Sequence, residues 1–457
     1  MIPLVSSQVM RECDARASAL HGVQYLVRRA GVELAHVTHE MLGSLYSRRI
    51  CVVAGPGLNG QDGREAAKVL RGRGCRVAVV EVSSQPNELR GYDLVIDAAF
   101  GLGCSRPYLA PRVSSATLVL AVDLPSGVDA DTGALLGQPM RADVTLALGA
   151  LKFAHVDGES VAYLGGLRFA DLGIETPREC GLVEDKDLLG FVRERSDDHK
   201  WVHAVSVLAG SPKMPGAPAL VSSGAMSAGA SMVQVESRGT LRAQLSLPTE
   251  VVRFRDSPLD PRSRCVVAGP GLGESSGPWL TRRLENTKLA SVLDADALTI
   301  NVVSIPHDAP RILTPHAGEF RRLSETDVGV RRIEAVRRLA RDLDCVVLLK
   351  GPLTIVAEPS GRLRIVNSGT RALATAGTGD VLAGMIGAAL THDHDALSAA
   401  ALSAHLHGRA GAQMAPHETA SALPRYVRHQ LHLLGETANA TRTMPTGFQR
   451  PRPRGSK

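Results

Sequence analysis

Residues 373–384, with the sequence LATAGTGDVLAG, place two glycines ahead of one carboxylate, Asp380, and an apolar run that is typical of a helix. Glycines directly before a helix let backbone N–H groups approach a phosphate, and the helix dipole adds favourable potential there. Because a carboxylate at that place repels the anion, we interpret Asp380 as a base that takes a proton from a substrate hydroxyl beside the transferred phosphate. The alternative is a C-cap and turn between two helices, which explains the glycines but leaves Asp380 without a reason.

Four other segments carry groups that could complete such a site. Lys350 and Thr354 follow an apolar strand-like run and supply a cation and a hydroxyl of the kind that binds a nucleotide phosphate. His316 follows another strand beside a proline, and we interpret it as a ligand contact. Asp296 lies in LDADAL after a third strand, where ligand binding and a helix N-cap are equally open. Residues 210–217, GSPKMPGA, form a polar turn suited to covering a substrate.

The first half of the chain has its own set of loops. Residues 55–63, GPGLNGQDG, follow a strand and precede a helix, which suits a phosphate cradle, although they match neither standard nucleotide motif. Asn59, Asp97 and Ser126 follow three strands and offer oxygen ligands with little total charge, which favours a monovalent over a divalent cation. Their alternative role is in turns and caps.

These residues must be positioned by two α/β domains. A helical opening over residues 6–45 precedes strands at 50–54, 76–82, 93–97, 117–122, 143–148 and near 161–170, with a helix over 62–73. Strands near 204–210, 264–268, 290–293, 311–313, 345–349 and 363–366 then alternate with helices, the last at 380–391, 395–415 and 423–434. This alternation predicts two doubly wound parallel sheets, the first of them Rossmann-like. We predict domains over 1–190 and 200–435, a junction near 188–199, and a basic, disordered tail over 436–457.

One octapeptide, CVVAGPGL, occurs at both 51–58 and 265–272. The residues after it diverge at once, NGQDG at 59–63 against GESSG at 273–277. We therefore interpret the repeat as the same kind of strand and glycine-containing turn, formed independently in two different domains.

Composition limits the classes of partner. The chain has 457 residues, 44% hydrophobic, only 3% aromatic, with a net charge of +6. The basic residues are mixed with acids along helical stretches and lie in the tail, which argues against nucleic-acid binding. The seven cysteines are scattered without a C-x-x-C pair, and no long apolar segment is present. We expect a reduced, cytoplasmic protein without a membrane span.

The segments GSPKMPGAPAL, AGPGLG, LDADAL, TPHAGEF, LLKGPLT and LATAGTGDVLAG resemble, in this order, the ribokinase-like superfamily and more closely its ADP/ATP-dependent NAD(P)H-hydrate dehydratase branch. The resemblance covers about residues 204–410. It implies phosphorylation of the hydrated nicotinamide ring at its hydroxyl, followed by loss of phosphate, with Asp380 as base. The implied nucleotide contacts are Lys350, Gly351, Pro352, Leu353, Thr354, Gly377, Thr378 and Gly379, and the implied contacts to the hydrated dinucleotide are Ala217, Gly273, His316 and Asp380. Met214 and Ser227 depart from the pattern, where an aromatic and an arginine are usual.

The segments AGPGLNGQDG, IDAAFGLGCSRP, VDLPSGVDADTG, GALK and ADLGI resemble NAD(P)H-hydrate epimerase over about residues 5–175. The resemblance implies potassium at Asn59, Asp97 and Ser126, and Asp123 as a catalytic residue. The implied substrate contacts are Leu58, Asn59, Gly60, Gln61, Asp62, Gly101, Leu102, Gly103, Cys104, Ser105, Arg106, Pro107 and Asp123. Leu58 replaces a usual asparagine and Gln61 a usual glycine. If the backbone at Gln61 needs a positive φ, this domain is a weakened epimerase.

Together these features predict a bifunctional enzyme that epimerises the R and S hydrates NADHX and NADPHX and dehydrates the S form. The expected cofactors are ADP or ATP, potassium and magnesium, and the expected assembly is a homo-oligomer. The alternative is a ribokinase-type small-molecule kinase with a non-catalytic dinucleotide-binding or oligomerisation module in front. The pairs His392/His394 and His405/His407 do not share a helix face at their spacing, so we expect exposed polar residues and no metal site there.

Overall fold

The computed structural model describes residues 1–104, 106–191, 199–239, 246–254, 258–392 and 394–442, with the backbone alone for 437–442. It divides into two compact units. Unit 1 comprises Met1–Val183 and Ile312–Asn367, and unit 2 comprises the rest of the described chain. The compact units do not follow the predicted domain order, since residues 312–367 group with unit 1. The domain division itself stays a prediction.

The helices are α1 (Ser7–His21), α2 (Val23–Leu42), α3 (Leu58–Gly72), α4 (Ala217–Ser227), α5 (Gly277–Leu284), α6 (Ile300–Val303), α7 (Ala317–Ser324), α8 (Arg332–Asp342), α9 (Thr378–Ala389), α10 (Ala396–Gly411) and α11 (Leu423–Arg442). The strands are β1 (Ile2–Val5), β2 (Arg49–Ala54), β3 (Arg76–Glu81), β4 (Glu88–Leu89), β5 (Leu94–Ala98), β6 (Tyr108–Leu109), β7 (Arg112–Val113), β8 (Leu118–Val122), β9 (Gly137–Gln138), β10 (Val144–Leu148), β11 (Leu151–Lys152), β12 (Gly166–Ala170), β13 (Cys180–Leu182), β14 (Ala204–Leu208), β15 (Met232–Glu236), β16 (Val252–Arg253), β17 (Cys265–Ala268), β18 (Ala290–Leu293), β19 (Arg311–Leu313), β20 (Val346–Leu349), β21 (Thr354–Ala357) and β22 (Leu363–Val366).

The first sheet of unit 1 confirms the predicted doubly wound architecture. Its six strands are all parallel, in the order β12-β10-β8-β5-β2-β3. The strands β2, β5 and β8 are buried and apolar except for the exposed Arg49 at the start of β2 and the buried Asp97 in β5, as expected where helices cover both faces of a parallel sheet. The chain adds β3 on one side of β2 and then β5 on the other, so the strand order reverses between β2 and β5. Open α/β sheets bind ligands at such a switch point, outside the carboxyl ends of the strands. The loops that follow β2 and β5 are the predicted site loops.

Helix α3 begins at Leu58, four residues before the predicted start at 62, so most of the predicted loop is the helix's first turn. Its glycines are there for close packing. A Cβ at Gly60 would lie 1.9 Å from the carbonyl oxygen of Gly55, and one at Gly63 would lie 2.6 Å from Ala98 Cβ. Only glycine therefore lets this turn pack directly on the ends of β2 and β5.

Unit 1 also contains a mixed set of strands in the order β11-β1-β13-β22-β21-β20-β19. Here β1 is parallel to β11 and antiparallel to β13, and β20, β21 and β22 pair antiparallel in sequence. In unit 2, β18-β17-β14-β15-β16 pair in parallel. Among the strands of four or more residues, β1, β15 and β21 were not predicted from the sequence. Two of these, β1 and β21, form antiparallel pairs that the βα alternation does not reveal.

Helices α4 and α9 approach each other closely in unit 2, which accounts for the small residues that follow Asp380. A Cβ at Gly384 would lie 2.0 Å from the carbonyl oxygen of Val221, and one at Gly224 would lie 2.2 Å from that of Val381. Backbone therefore packs on backbone at this crossing. The contact fixes the first turn of α9, which carries Asp380, against α4.

We expect Gly384→Ala to lower the free energy of unfolding by about 1–3 kcal/mol, because the added methyl group overpacks the crossing of α4 and α9. Gly277→Ala is the matched control, since a Cβ there meets no atom within 4 Å. Urea unfolding of both variants measures the difference. Equal stability of the two would contradict the close packing.

In the described part of the chain, no helix combines the length and the hydropathy needed to cross a membrane.

Candidate functional site

A cavity of about 470 Å³ lies in unit 1 at the switch point of the first sheet. Apolar side chains of α1 and α2 form part of its wall, together with the loops after β2 and β5. Its polar lining consists of Arg11, Asp14, Ser18, Asn59, Asp62, Asp123 and Lys152. Among the predicted substrate contacts, it includes Leu58, Asn59, Asp62, Gly101, Leu102, Gly103 and Asp123. The other described ones, Gly60, Gln61, Cys104, Arg106 and Pro107, do not line it, and Ser105 lies outside the described residues.

Asp123 forms a buried ion pair with Lys152 in this cavity. The ammonium group of Lys152 is 1% exposed and contacts Asp123 Oδ1, and it also donates to the carbonyl oxygens of Leu148 and Ala150 at 2.9 Å. The Leu148 N–H donates to the same carboxylate oxygen at 3.2 Å. Asp123 has a φ of 63°, a left-handed conformation that is rare outside glycine and clusters at functional sites. The carboxylate is thus held in one orientation.

His155 contacts the backbone of both residues of this ion pair. Its Nδ1 accepts from the Lys152 backbone N–H at 2.9 Å, and its Nε2 lies 2.6 Å from the backbone oxygen of Asp123. Burial lowers the pKa of His155 to about 4, so the neutral ring donates through Nε2. The imidazole therefore orients the Asp123 backbone and carries no charge near neutral pH.

Asp14 and Asp62 are further carboxylates in the cavity wall. Burial, with the nearby charge of Asp123, raises the pKa of Asp14 to about 6, against the opposing effect of Lys152. Burial, then the charges of Asp123 and Asp14, raise the pKa of Asp62 to about 8. Carboxyl groups that change charge near neutral pH are suited to acid–base chemistry.

Asp97 and Ser126 are in contact, and Asn59 lines the cavity. Asp97 is fully buried, and it accepts from Ser126 Oγ at 2.6 Å and from the Ser126 N–H at 2.9 Å. Asn59 Oδ1 would lie 3.3 Å from a Cβ at Gly101, at the neighbouring loop, and Asn59 Nδ2 is buried without a partner in the described chain. No cationic side chain in the described residues pairs with Asp97, and burial raises its pKa. The site therefore combines oxygen donors with a buried carboxyl group that has no cationic partner in the described residues.

The two departures from the epimerase pattern leave this arrangement intact. Gln61 lies within α3 and has no positive φ, so the concern that this position needs glycine was wrong. Gln61 is the fourth residue of α3, where ordinary helical backbone is open to any side chain. Leu58 is 50% exposed and adds an apolar wall at the mouth of the cavity.

Unit 1 also brings His316 and Lys350 together. His316 caps α7, since its Nδ1 accepts from the N–H groups of Gly318 and Glu319, and its Nε2 lies 3.4 Å from Glu319 Oε1. The Lys350 N–H donates to Pro315 O at 2.8 Å, and Lys350 Nζ lies 3.7 Å from the buried carboxylate of Glu319. Arg332 Nη2 donates to Leu353 O at 3.1 Å, which braces the loop of the predicted nucleotide contacts.

In unit 2, Asp380 is the third residue of α9 and follows Gly377, which has a φ of 90°. The hydroxyl of Thr378 donates to Leu373 O at 2.7 Å, and this bond closes the turn before the helix. The first N–H groups of a helix have no partner within it, so this end offers donors to an anion. The alternative of a C-cap was wrong, because the glycines stand at a helix N-terminus.

Ala217, Gly273 and Asp296 are neighbours in unit 2. The Gly273 N–H donates to Asp296 Oδ2 at 2.8 Å, and a Cβ at Gly271 would lie 2.8 Å from Ala217 Cβ. Asp296 is not a helix N-cap: it lies within a short 3₁₀ helix that Asp294 precedes. Of the two departures in this half, Met214 is exposed, whereas Ser227 is buried and donates to Gly224 O within α4.

The four histidines of the pairs contradict their expected exposure. His392, His405 and His407 are buried, and His394 is partly buried with a contact to Phe191 O. His407 Nε2 lies 2.9 Å from Thr378 O, so it supports the turn before Asp380. No group of metal-binding side chains occurs in the part of the chain that the structure describes.

Asp14, Lys152 and His155 were not predicted from the sequence as site residues. Lys152 stands in the GALK segment that the resemblance already used, so a signal for it was available. Asp14 and His155 carried none, because only the fold places α1 beside the loops after β2 and β5, and His155 beside Asp123 in the loop after β8.

Known protein families match both the first and the second half of this chain. A family model described as NAD(P)H-hydrate dehydratase matches residues 205–432, and one described as YjeF-related protein N-terminus matches residues 23–91 and 80–154. The bifunctional NAD(P)H-hydrate repair enzyme Nnr of Mycobacterium leprae is 34% identical over 471 aligned residues, covering 91% of this chain and 96% of that protein. The Nnr enzyme of Mycobacterium tuberculosis is 35% identical over 412 residues, covering 80% and 84%.

Among solved structures, the ADP/ATP-dependent NAD(P)H-hydrate dehydratase from Bacillus subtilis, co-crystallised with ATP/Mg²⁺, superposes with a TM-score of 0.51 at 28% identity. The match covers 55% of this chain and 97% of that one. The identity and coverage of the full-length relatives show that the chain belongs to the family of bifunctional NAD(P)H-hydrate repair enzymes.

Proposed function

We propose that this chain epimerises the R and S hydrates of NADH and NADPH and dehydrates the S form with the help of ADP or ATP. The observation that carries the dehydratase activity is the position of Asp380, in the first turn of α9 directly after the left-handed Gly377. This geometry pairs a base with a helix N-terminus that attracts phosphate. Family membership supports both activities.

In the dehydratase reaction, Asp380 takes the proton of the ring hydroxyl as that oxygen attacks the terminal phosphate of the nucleotide. The N–H groups at residues 377–379 stabilise the charge on the transferred group. Loss of phosphate from the phosphorylated ring then restores the dihydropyridine. Lys350, Gly351, Pro352, Leu353 and Thr354 contact the nucleotide, and Ala217, Gly273 and His316 contact the hydrated dinucleotide. Magnesium, when bound, neutralises phosphate charge.

The epimerase reaction takes place in the cavity of unit 1. Asp123, held by Lys152, faces the substrate and stabilises positive charge that develops on the ring. The ordinary helical backbone at Gln61 supports an active epimerase.

Potassium at Asn59, Asp97 and Ser126 is part of this proposal. A fully buried carboxylate without a cationic partner is costly, and a bound monovalent cation would remove that cost. Carboxylate, hydroxyl and amide oxygens are the donors such a hard cation prefers. The ion would fix the loops after β2 and β5 at the cavity.

We therefore expect the unfolding midpoint of the chain to rise with potassium chloride more than with choline chloride at equal ionic strength, since a ligand that binds the folded state stabilises it. Asn59→Ala should abolish this difference, because it removes an oxygen donor. Gln61→Ala, two positions after Asn59 in the same helix, is the control and should keep the difference. An Asn59→Ala variant that responds like the wild type would contradict the site.

The function is tested by incubating the chain with mixed NADHX epimers and ADP or ATP, while the recovery of NADH absorbance is followed. We expect NADH to be recovered from both epimers. A stable phosphorylated product without NADH would indicate a kinase instead. Recovery that stops when the S form is consumed would indicate a first domain without epimerase activity. A homo-oligomer and a cytoplasmic location stay predictions.

A further inference from the structure

Helix α1 lines part of the epimerase cavity with polar side chains that the assigned roles do not use. Met10, Asp14 and Ser18 recur at a spacing of four residues and all line the cavity. This spacing places them on one face of the helix. Met10 is buried and packs in the core, so Asp14 is the acidic group that this face presents to the substrate space.

Asp14 and Asp62 share an unusual property. Neither carboxylate has a hydrogen bond or ion pair within the described residues, although Asp62 is buried and Asp14 is half-buried. Removing a carboxylate from water without a partner costs stability, so these two groups contribute nothing to the fold. The other charged groups facing them are Asp123, Lys152 and Arg11, whose guanidinium donates to Leu102 O at 3.4 Å. Two unpaired carboxylates on different helices thus face one cavity.

We propose that Asp14 and Asp62 are the two proton-transfer residues of the epimerase reaction and exchange roles at each inversion. This inference rests on the proposed epimerase function and adds the residues that move the protons. Since Asp14 comes from α1 and Asp62 from α3, the two groups reach the substrate from different walls. The ionised pair of Asp123 and Lys152 lies beside them and stays unchanged during the reaction.

The protonated carboxyl gives its proton to the ring hydroxyl, and the C6–O bond breaks with its electron pair leaving as water. The lone pair on the ring nitrogen forms the C6=N1 bond, and the Asp123 carboxylate stabilises the resulting cation. A water molecule then attacks C6 from the opposite face, the C=N pair returns to nitrogen, and the second carboxylate takes the proton. The net change is inversion at C6 and transfer of one proton between Asp14 and Asp62, so the enzyme is set for the reverse direction.

The test measures the exchange of R and S NADHX by chromatography without nucleotide, so that dehydration does not interfere. Asp14→Asn should lower kcat for exchange at least about 100-fold, the usual contribution of a positioned acid or base. Its unfolding midpoint should be unchanged or higher, because an unpaired carboxylate is removed. Glu12→Gln, on the exposed side of the same helix, is the matched control and should exchange at the wild-type rate.

The pH profile separates proton transfer from a structural effect. The working state has one proton on the pair, so exchange by the wild type should fall below about pH 6 and above about pH 8. Asp14→Asn also removes a negative charge near Asp62, so the alkaline limb of its residual rate should move to lower pH. Exchange in water enriched in oxygen-18 should label C6–OH once per inversion.

An Asp14→Asn variant with wild-type kcat and pH profile would overturn this inference and leave the epimerase function standing. Inversion without oxygen-18 incorporation would also overturn it, because the C6–O bond would then stay intact. A wild-type chain that exchanges no epimers at all would overturn the proposed function itself, and the inference with it.

Discussion

Asp380→Asn is expected to reduce NADH recovery from S-NADHX at least about 1,000-fold, within the range that a general base contributes. The substitution keeps the size of the side chain and its place in the first turn of α9 but removes the proton acceptor. Because the acceptor acts only in the chemical step, the loss should appear in kcat. Epimer exchange in the same preparation should continue at the wild-type rate, since Asp380 lies in unit 2 and the epimerase cavity in unit 1.

Nucleotide affinity distinguishes a lost base from a damaged site. Asn lacks the negative charge that opposes phosphate binding at the helix N-terminus, so ADP and ATP should bind the variant at least as tightly as the wild type. Equilibrium binding of the nucleotide checks this expectation. Retained NADH recovery would refute the assignment of the base, and weaker nucleotide binding would indicate that the turn at Gly377 has been disturbed.

The sequence predicted those elements whose signal is local. Buried β-branched runs and the βα alternation were sufficient for the first parallel sheet and for helices α9 to α11. Strands β1 and β21 were missed because they pair antiparallel with partners distant in the chain or in the neighbouring hairpin, and no local period encodes this. The start of α3 was missed because glycines at 60 and 63 usually argue against a helix, whereas packing requires them here.

The repeated octapeptide shows which features the local sequence determines and which it does not. In each copy, a Cβ on the first glycine would lie 1.8 Å from a backbone oxygen of the adjacent loop, Ala99 for Gly55 and Asp294 for Gly269. Both copies thus have the same requirement for glycine beside a close backbone oxygen. However, Gly269 has a φ of 123° and Gly55 has no positive φ, so the same letters follow different backbone paths. The residues that come after the octapeptide decide the path.

Site residues that stand in a sequence motif could be predicted, whereas residues that only the packing brings to the site could not. Asp123 stands in VDLPSGVDADTG and was found, whereas Asp14 stands alone on an amphipathic helix and gave no signal. The buried histidines were misjudged for the same reason. Their spacing excludes a shared helix face, but it does not reveal that neighbouring helices cover both faces of α10.

Asp123→Asn is expected to abolish epimer exchange and to lower the free energy of unfolding of the chain by about 3–5 kcal/mol, since it leaves the buried ammonium group of Lys152 without its carboxylate. Asn tolerates the left-handed φ of 63° better than most residues, so the backbone should not add to this loss. Urea unfolding and chromatographic exchange assays measure the two effects. Dehydration of the S form should persist under conditions where the variant is folded.

The double variant Asp123→Asn/Lys152→Met separates the two effects. Replacing both partners of a buried ion pair removes the unpaired charge, so most of the lost stability should return, and a double-mutant cycle gives the coupling between the two side chains. Exchange should stay absent, because the carboxylate that stabilises the ring cation is still missing. If the double variant regained exchange together with stability, Asp123 would be a structural residue that merely neutralises Lys152, and the catalytic charge would have to come from Asp14 or Asp62.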